Sequence, residues 1–513
     1  MGAGGLVGRL IGPAPAAQEH LGPDDQGAEP LDLVVELTAR LRAAGVRYCH
    51  WKSNDVLHLS ACGVNDLDLL VDRRSLQTFL EVLLACGFKQ ARPARSRQIP
   101  GVLHYYGFDH GTGRLVHVDA QAQLVLGDDT TKNVHIPIEE SYLASCHDGP
   151  LFPTPAAEFE LAVLVLRLAL KHGTWDAAAF GLAALRPAER RELEYLTARA
   201  EESAVRKVVE RELPQVGWAA WSDYCRALLD DAPAVRRLAT GRRVVQGAEQ
   251  LMRRPAKLDT VVRCSRRVQW GLRHYVLGGR NTKRLTAGGR VIAVVGGDGA
   301  GKSTLVAGLA GWLQGPLDTR VLHMGKPPRS RATLALKGAV LAGRRMHLLD
   351  DGLPNYPTPA EHGGRPPGTA WLLWQLVTAV DRGRQHRRVR ALAARGYVVV
   401  CDRFPLDQVT QMDGSRTRWV PESELSPLDR RLVAAERRHY DAIGRPDLLL
   451  VLRVDPDTAV HRKRGEDPAE FVRPRSAEVF GIDWRNTGAV LLDAGRPAGA
   501  VLADAQAAIW ANL

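Results

Sequence analysis

Residues Gly296-Gly297-Asp298-Gly299-Ala300-Gly301-Lys302-Ser303-Thr304 fit the pattern G-x-x-x-x-G-K-[ST], and their flanks constrain what this part of the chain can become. Arg290-Val291-Ile292-Ala293-Val294-Val295 reads as a buried strand, and Leu305 to Leu313 as a helix. Strand, glycine loop and helix in that order specify a parallel α/β layer. The glycines let the backbone fold around phosphate oxygens with several N–H groups pointing inward, where the helix N-terminus adds partial positive charge. Lys302 is placed to reach the β- and γ-phosphates and the Ser303 hydroxyl to hold Mg²⁺, so ATP and Mg²⁺ are the expected cofactors.

A chain of 513 residues is too long for one ordinary core, and about two or three domains are expected. Its net charge of +12 favours phosphorylated ligands, nucleic acid or an anionic surface without choosing among them. The seven cysteines show no CxxC spacing, which predicts free thiols in a reducing compartment rather than a disulfide scaffold. No apolar run approaches a membrane span, and the first residues lack the apolar core of a signal peptide, so a cytoplasmic location is the expectation.

Residues 1–30, rich in Gly, Pro and Ala, read as a mobile tail, and Leu31 to Ala44 as an amphipathic helix. The stretch Tyr48-Cys49-His50-Trp51-Lys52-Ser53-Asn54 is followed by Asn65-Asp66-Leu67-Asp68-Leu69-Leu70-Val71. Asp66 and Asp68 alternate with leucines, so on a strand both carboxylates leave one face. Two such carboxylates repel unless a cation lies between them, which points to Mg²⁺, with Asp119 of Leu115-Val116-His117-Val118-Asp119 as a third ligand. Ser53, Asp66, Asp68 and Asp119 resemble the nucleotidyltransferase superfamily of polymerase-β type, with Lys52 where that family usually has Gly. The resemblance implies an α+β nucleotidyltransferase-like domain over residues 31–150. Residues 151–250 then read as a helical extension with helices over Ala156 to Lys171 and Ala188 to Glu212. Residues 251–288 read as a basic linker. Its amphipathic stretch, 253–290, is a candidate for contact with an anionic surface, weighed against a solvated connector hinged at Gly278-Gly279.

Beyond the glycine loop, Val398-Val399-Val400-Cys401 is a buried strand ending in Asp402-Arg403-Phe404. A carboxylate at that strand end suits Mg²⁺ or its water shell, and an arginine beside it can grip a phosphate through two parallel hydrogen bonds. A helix over Trp371 to Arg390 carries Ala379-Val380-Asp381-Arg382. In order and type these segments resemble thymidylate kinases and related nucleoside-monophosphate kinases over residues 289–513. The resemblance implies that Arg403 and Arg382 bind the acceptor nucleotide and that Asp298 lies near its sugar. It also implies that Arg462, Lys463 and Arg464 form a lid closing on the transferring group. Thr378 stands where the family has its stacking Phe, and the family's Arg-Glu-Pro-Gly-Gly-Thr loop is replaced around His323 to Ser330. An aromatic platform is therefore expected to be missing there, and thymidine monophosphate to be a poor acceptor.

The expected architecture is an α/β parallel-sheet P-loop kinase domain over 289–513, preceded by the nucleotidyltransferase-like domain and its helical extension. The leading expectation is ATP- and Mg²⁺-dependent phosphoryl transfer to a nucleoside monophosphate or similar phosphorylated acceptor. Alternatives are a bifunctional sugar-phosphate kinase and nucleotidyltransferase, or a non-enzymatic ATP-gated binding module. A homodimer stays open.

Overall fold

The structure is a computed structural model that describes residues 29–272, 282–331, 333–336, 338, 368–410, 412–418 and 420–513. Most of the expected tail and the Gly278-Gly279 hinge lie outside the described residues. The chain divides into two compact units, Met1–Lys283 and Arg284–Leu513.

In the first unit, strands β1 (Tyr48–His50), β2 (Leu67–Val71), β3 (Lys89–Arg92), β4 (Val102–Phe108) and β5 (Leu115–Gln121) pair in the order β1-β2-β5-β4-β3. Only β2 and β5 pair in parallel, and their register sets Asp68 against Asp119. Alternation decides the two faces. Leu67, Leu69 and Val71 join Val116, Val118 and Ala120 in an apolar cluster under helix α1 (Asp32–Ala43), with Leu33, Leu37 and Leu41. Leu70 points the other way, into a cluster built on helix α2 (Ala157–His172). Asp68 and Asp119 therefore share the face turned away from the α1 cluster.

The single amphipathic helix expected over Ala188 to Glu212 is two helices, α3 (Pro187–Thr197) and α4 (Glu202–Glu212). Leu193 and Leu196 are buried on the first, Val205, Val208 and Val209 on the second. On one continuous helix these stripes would be rotated apart by about a third of a turn at ~3.6 residues per turn. Both join the same cluster with α2, and the break brings both stripes onto it.

The basic linker also differs from expectation. Ala256–Gly271 is helix α5 of the first unit, with Arg263 and Arg267 buried. Arg263 pairs with Asp176 at 2.8 Å and Asp259 at 3.1 Å, while Arg267 pairs with Asp176 at 3.1 Å and with Asp128. Arg254 also meets Asp259, at 3.1 Å. Cations expected to face an anionic surface thus compensate internal carboxylates, because a buried carboxylate such as Asp176 needs them. Among the described residues no helix is long and apolar enough to cross a membrane. Among the described residues, none of the seven cysteines forms a disulfide.

The second unit holds a five-stranded parallel sheet: β6 (Arg290–Gly296), β7 (Thr319–His323), β8 (Val398–Asp402), β9 (Leu448–Arg453) and β10 (Val490–Asp493), ordered β7-β8-β6-β9-β10. Val291, Ala293, Val295, Val399, Cys401, Leu449 and Val451 face one core, as alternation on a doubly covered sheet requires. The chain winds to one side of β6 and then to the other, so the strand order reverses beside it. A crevice opens at the carboxyl end of such a switch point, and the glycine loop leaves β6 at that end.

Candidate active site

The loop after β6 opens helix α6 (Lys302–Gln314). Gly299 and Gly301 have φ of +82° and +86°, a region that glycine adopts without Cβ strain. At Gly299 a Cβ would also meet the Ala459 carbonyl at 2.5 Å. Lys302 Nζ folds back to donate to the carbonyls of Gly296 at 2.9 Å and Gly297 at 2.7 Å. Burial, then the neighbouring Arg403 charge, push its pKa down to about 8 against the pull of Asp298. An ammonium so placed gains charge partners when phosphate arrives.

The loop borders a cleft of about 1080 Å³ that gathers most of the expected groups. Asp298, Gly299, Gly301, Lys302, Ser303 and Thr304 line one side, with Asp402, Arg403, Arg382, Arg462 and Lys463 around it. Strand β8 delivers Asp402, whose register partner on β6 is Val294, and the chain turns sharply after it: Arg403 has φ of 64°. Its guanidinium reaches Asp298 Oδ1 at 2.9 Å and Asp413 Oδ2 at 3.4 Å. Asp298 also receives Arg475 at 2.8 Å. Burial raises the Asp298 pKa, but the Arg475 hydrogen bond and the Lys302 and Arg403 charges outweigh it and hold it below the usual range. Helix α7 (Thr369–Ala393) delivers Arg382, which lies 3.6 Å from Asp413 and donates to the Gly325 carbonyl and the Tyr440 hydroxyl.

Asp402 Oδ1 is buried without a hydrogen-bond partner. An orphaned carboxylate oxygen in a phosphate cleft is unfavourable unless a cation joins it, so the residues present fit Mg²⁺. Ser303 and Asp402 are the side chains that would hold it.

Of the expected lid, Arg462 and Lys463 line the cleft. Arg462 donates to the Ala494 carbonyl at 2.9 Å, and Lys463 is paired with Glu466 and Asp467. Arg464 is exposed and does not line the cleft. The neighbouring carboxylates hold Lys463, and Arg475 on the next helix (Ala469–Gly481) reaches Asp298 of the glycine loop, as Arg403 does. Asp413 and Arg475 were not singled out from sequence, since neither belongs to a short pattern. Trp371 and Trp374 were also missed, although their spacing with Thr378 on α7 was readable: one and two turns earlier on the same face, lining the same cleft. Thr378 leaves its position without an aromatic ring, as expected, and Trp374 offers one a turn earlier.

In the first unit, Lys52 Nζ contacts Asp68 Oδ1 at 3.0 Å, and its charge acts on Asp66, Asp68 and Asp119 alike. Burial and then the neighbouring carboxylates push Asp68 up to about 6 despite Lys52. Asp66 receives His117 Nδ1 at 2.8 Å and is held low in spite of burial. Among the described residues no group of three or more His, Cys, Asp or Glu side chains has the arrangement of a metal site. The expected Mg²⁺ set of Asp66, Asp68 and Asp119 shares one neighbourhood, and the cation in contact with it is the Lys52 ammonium. Ser53, at φ of 57°, gives its backbone N–H to Glu192 Oε1 at 2.9 Å, and Asn54 gives its own to Glu160 at 3.4 Å.

No protein-family model matches the chain. A thymidylate kinase of Chromohalobacter salexigens is 32% identical over 193 residues, covering 37% of this chain and 76% of that protein. The uncharacterized ATP-binding protein YghR of Escherichia coli is 29% identical over 229 residues, 43% of this chain and 86% of that protein. Among solved structures, thymidylate kinase from Candida albicans is similar with a TM-score of 0.29 at 18% identity, over 44% of this chain and 92% of that one.

Proposed function

Over 37% of its length this chain belongs to the thymidylate kinase family, and we propose that its phosphate-loop unit transfers the γ-phosphoryl group of ATP to a nucleoside monophosphate or a similarly phosphorylated acceptor. The observation that carries this reading is one cleft holding both halves of such a site. Lys302 and Ser303 serve the donor phosphates, while Arg382 and Arg403 stand together for a second phosphate. Phosphoryl transfer needs positioning and charge stabilisation and no protein nucleophile, and these groups supply both. Mg²⁺ held by Ser303 and Asp402 would neutralise charge on the donor phosphates. Asp298 keeps Arg403 and Arg475 oriented at the loop.

Trp374 favours a planar base over a bare sugar phosphate as the acceptor's other end. Because it sits one turn from the family's usual position, in a cleft whose neighbouring loop is also changed, thymidine monophosphate is expected to be a poor acceptor. A screen of ATP consumption against nucleoside monophosphates and sugar phosphates tests the reading. Acceptor-dependent turnover supports it, and ATP use indifferent to every acceptor overturns it. Replacing Trp374 with Ala should raise the acceptor KM with little change in the KM for ATP, by a factor corresponding to about 1–3 kcal/mol for a lost base–aromatic stack. An unchanged acceptor KM would remove Trp374 from the acceptor pocket.

A further inference from the structure

The first unit engages with its own side chains the groups that a metal–nucleotide complex would need. Lys52 stands among the carboxylates of Asp66, Asp68 and Asp119, and a divalent cation brought there would face its ammonium at close range. The amides of Ser53, which is left-handed, and of Asn54 already end on the buried Glu192 and Glu160. Arg167 pairs with Glu192, which anchors that acceptor from the helical side. Mg²⁺ therefore does not fit this site as it stands.

The unit keeps a cavity of about 240 Å³ walled by the cations Arg97, Lys132 and Lys283, by His104, and by the carboxylates Asp119 and Asp129. Asp129 lies near Lys171 at 3.2 Å and Arg186 at 3.8 Å, so it is compensated from outside the cavity. Lys283 donates to the Tyr106 hydroxyl at 2.9 Å. The Lys132 ammonium makes no hydrogen bond or close ion pair among the described residues, its charge acts on Asp119 and Asp129, and its backbone is left-handed, at φ of 39°. Three cations against two carboxylates around one small cavity suit a group that accepts several charge-assisted hydrogen bonds at once, and a phosphate does so.

We propose that this cavity binds the phosphate group of a small phosphorylated molecule without a divalent ion, Lys52 being the fixed cation of the carboxylate set, so that the first unit is a ligand-binding module and not a second transferase. The test uses the full chain carrying Lys302→Ala, which removes the phosphate-loop lysine of the other unit, with inorganic pyrophosphate as probe in equilibrium dialysis. Binding is expected in excess EDTA and should be no tighter with Mg²⁺. Adding Lys132→Ala and Lys283→Ala together should weaken it about tenfold or more, the scale of losing hydrogen bonds to a charged group. Lys132→Arg should retain binding. Should the double variant not fold, judged by its circular dichroism, Lys132→Gln alone is read in the same way. Binding that requires Mg²⁺, or that ignores both lysines, overturns the proposal. So does nucleotidyl transfer by the intact chain that disappears in an Asp66→Asn, Asp68→Asn variant.

Discussion

Lys302→Ala is expected to lower phosphoryl transfer about 10²–10³-fold, the scale on which removing one preorganised electrostatic stabiliser acts. The side chain is buried, but its ammonium is bonded to the Gly296 and Gly297 carbonyls and lies 3.8 Å from Asp298, all in its own loop, so it does not itself tie distant elements together. Truncating it should leave the parallel sheet intact, since Val291 to Val295 and their neighbours pack independently of it. The effect should therefore appear in turnover and not in the unfolding transition. The same ammonium offers a second readout. In the ligand-free protein its pKa is lowered to about 8 by burial and by Arg403. Phosphate oxygens favour the charged form, so ATP binding near pH 8 should take up protons, and the wild-type chain should take up more than Lys302→Ala. Calorimetry in buffers of different ionisation enthalpy measures this. Near-normal turnover by the variant would remove Lys302 from its place at the transferring group.

Sequence legibility followed the distance over which each feature is built. The glycine loop, Asp402-Arg403 and Arg382 are local: a strand end or one helix face delivers each, and the sheet register that aligns Asp402 with Val294 follows from runs of apolar residues. What the side chains do to one another across the chain was not readable. Arg475 reaches Asp298 from 177 positions away, and Glu192 reaches the Ser53 amide from 139. The substitution of Lys for Gly at position 52 was visible, yet its consequence depends on parallel pairing of β2 with β5, which brings Asp119 to the same face. Lid and linker show the same limit in charge patterns. Arg462, Arg263 and Arg267 read as cations for an outside anion, and each has a partner oxygen far along the chain that the sequence could not assign to it. Trp374 is different, because its helical spacing from Thr378 was on view and the family position drew attention away from it.

Arg403→Ala should weaken the acceptor far more than ATP. Its guanidinium is shared between Asp298 and Asp413, and Asp413 also lies 3.6 Å from Arg382. Two arginines facing one carboxylate resemble the arrangement an acceptor phosphate would need, and Asp413 is the anion between them. A phosphate that displaces Asp413 must draw both arginines to itself. With one arginine gone, it meets half of the positive charge and an Asp413 still held by Arg382. Truncating one partner of a desolvated charge pair costs about 2–5 kcal/mol, which corresponds to a rise in acceptor KM of at least about 30-fold. Asp298 keeps Arg475 at 2.8 Å, so the glycine loop and its ATP affinity should be preserved. Arg403→Lys tests the geometry, since an ammonium keeps the charge but cannot give two parallel hydrogen bonds, and it should recover only part of the loss. The Asp413→Asn variant separates competition from support. Loss of the displaced carboxylate should lower the acceptor KM, while a raised KM would show that Asp413 chiefly holds the arginines in position. A fall in ATP affinity without change in the acceptor KM of Arg403→Ala would place Arg403 on the donor side and overturn its assignment to the acceptor phosphate.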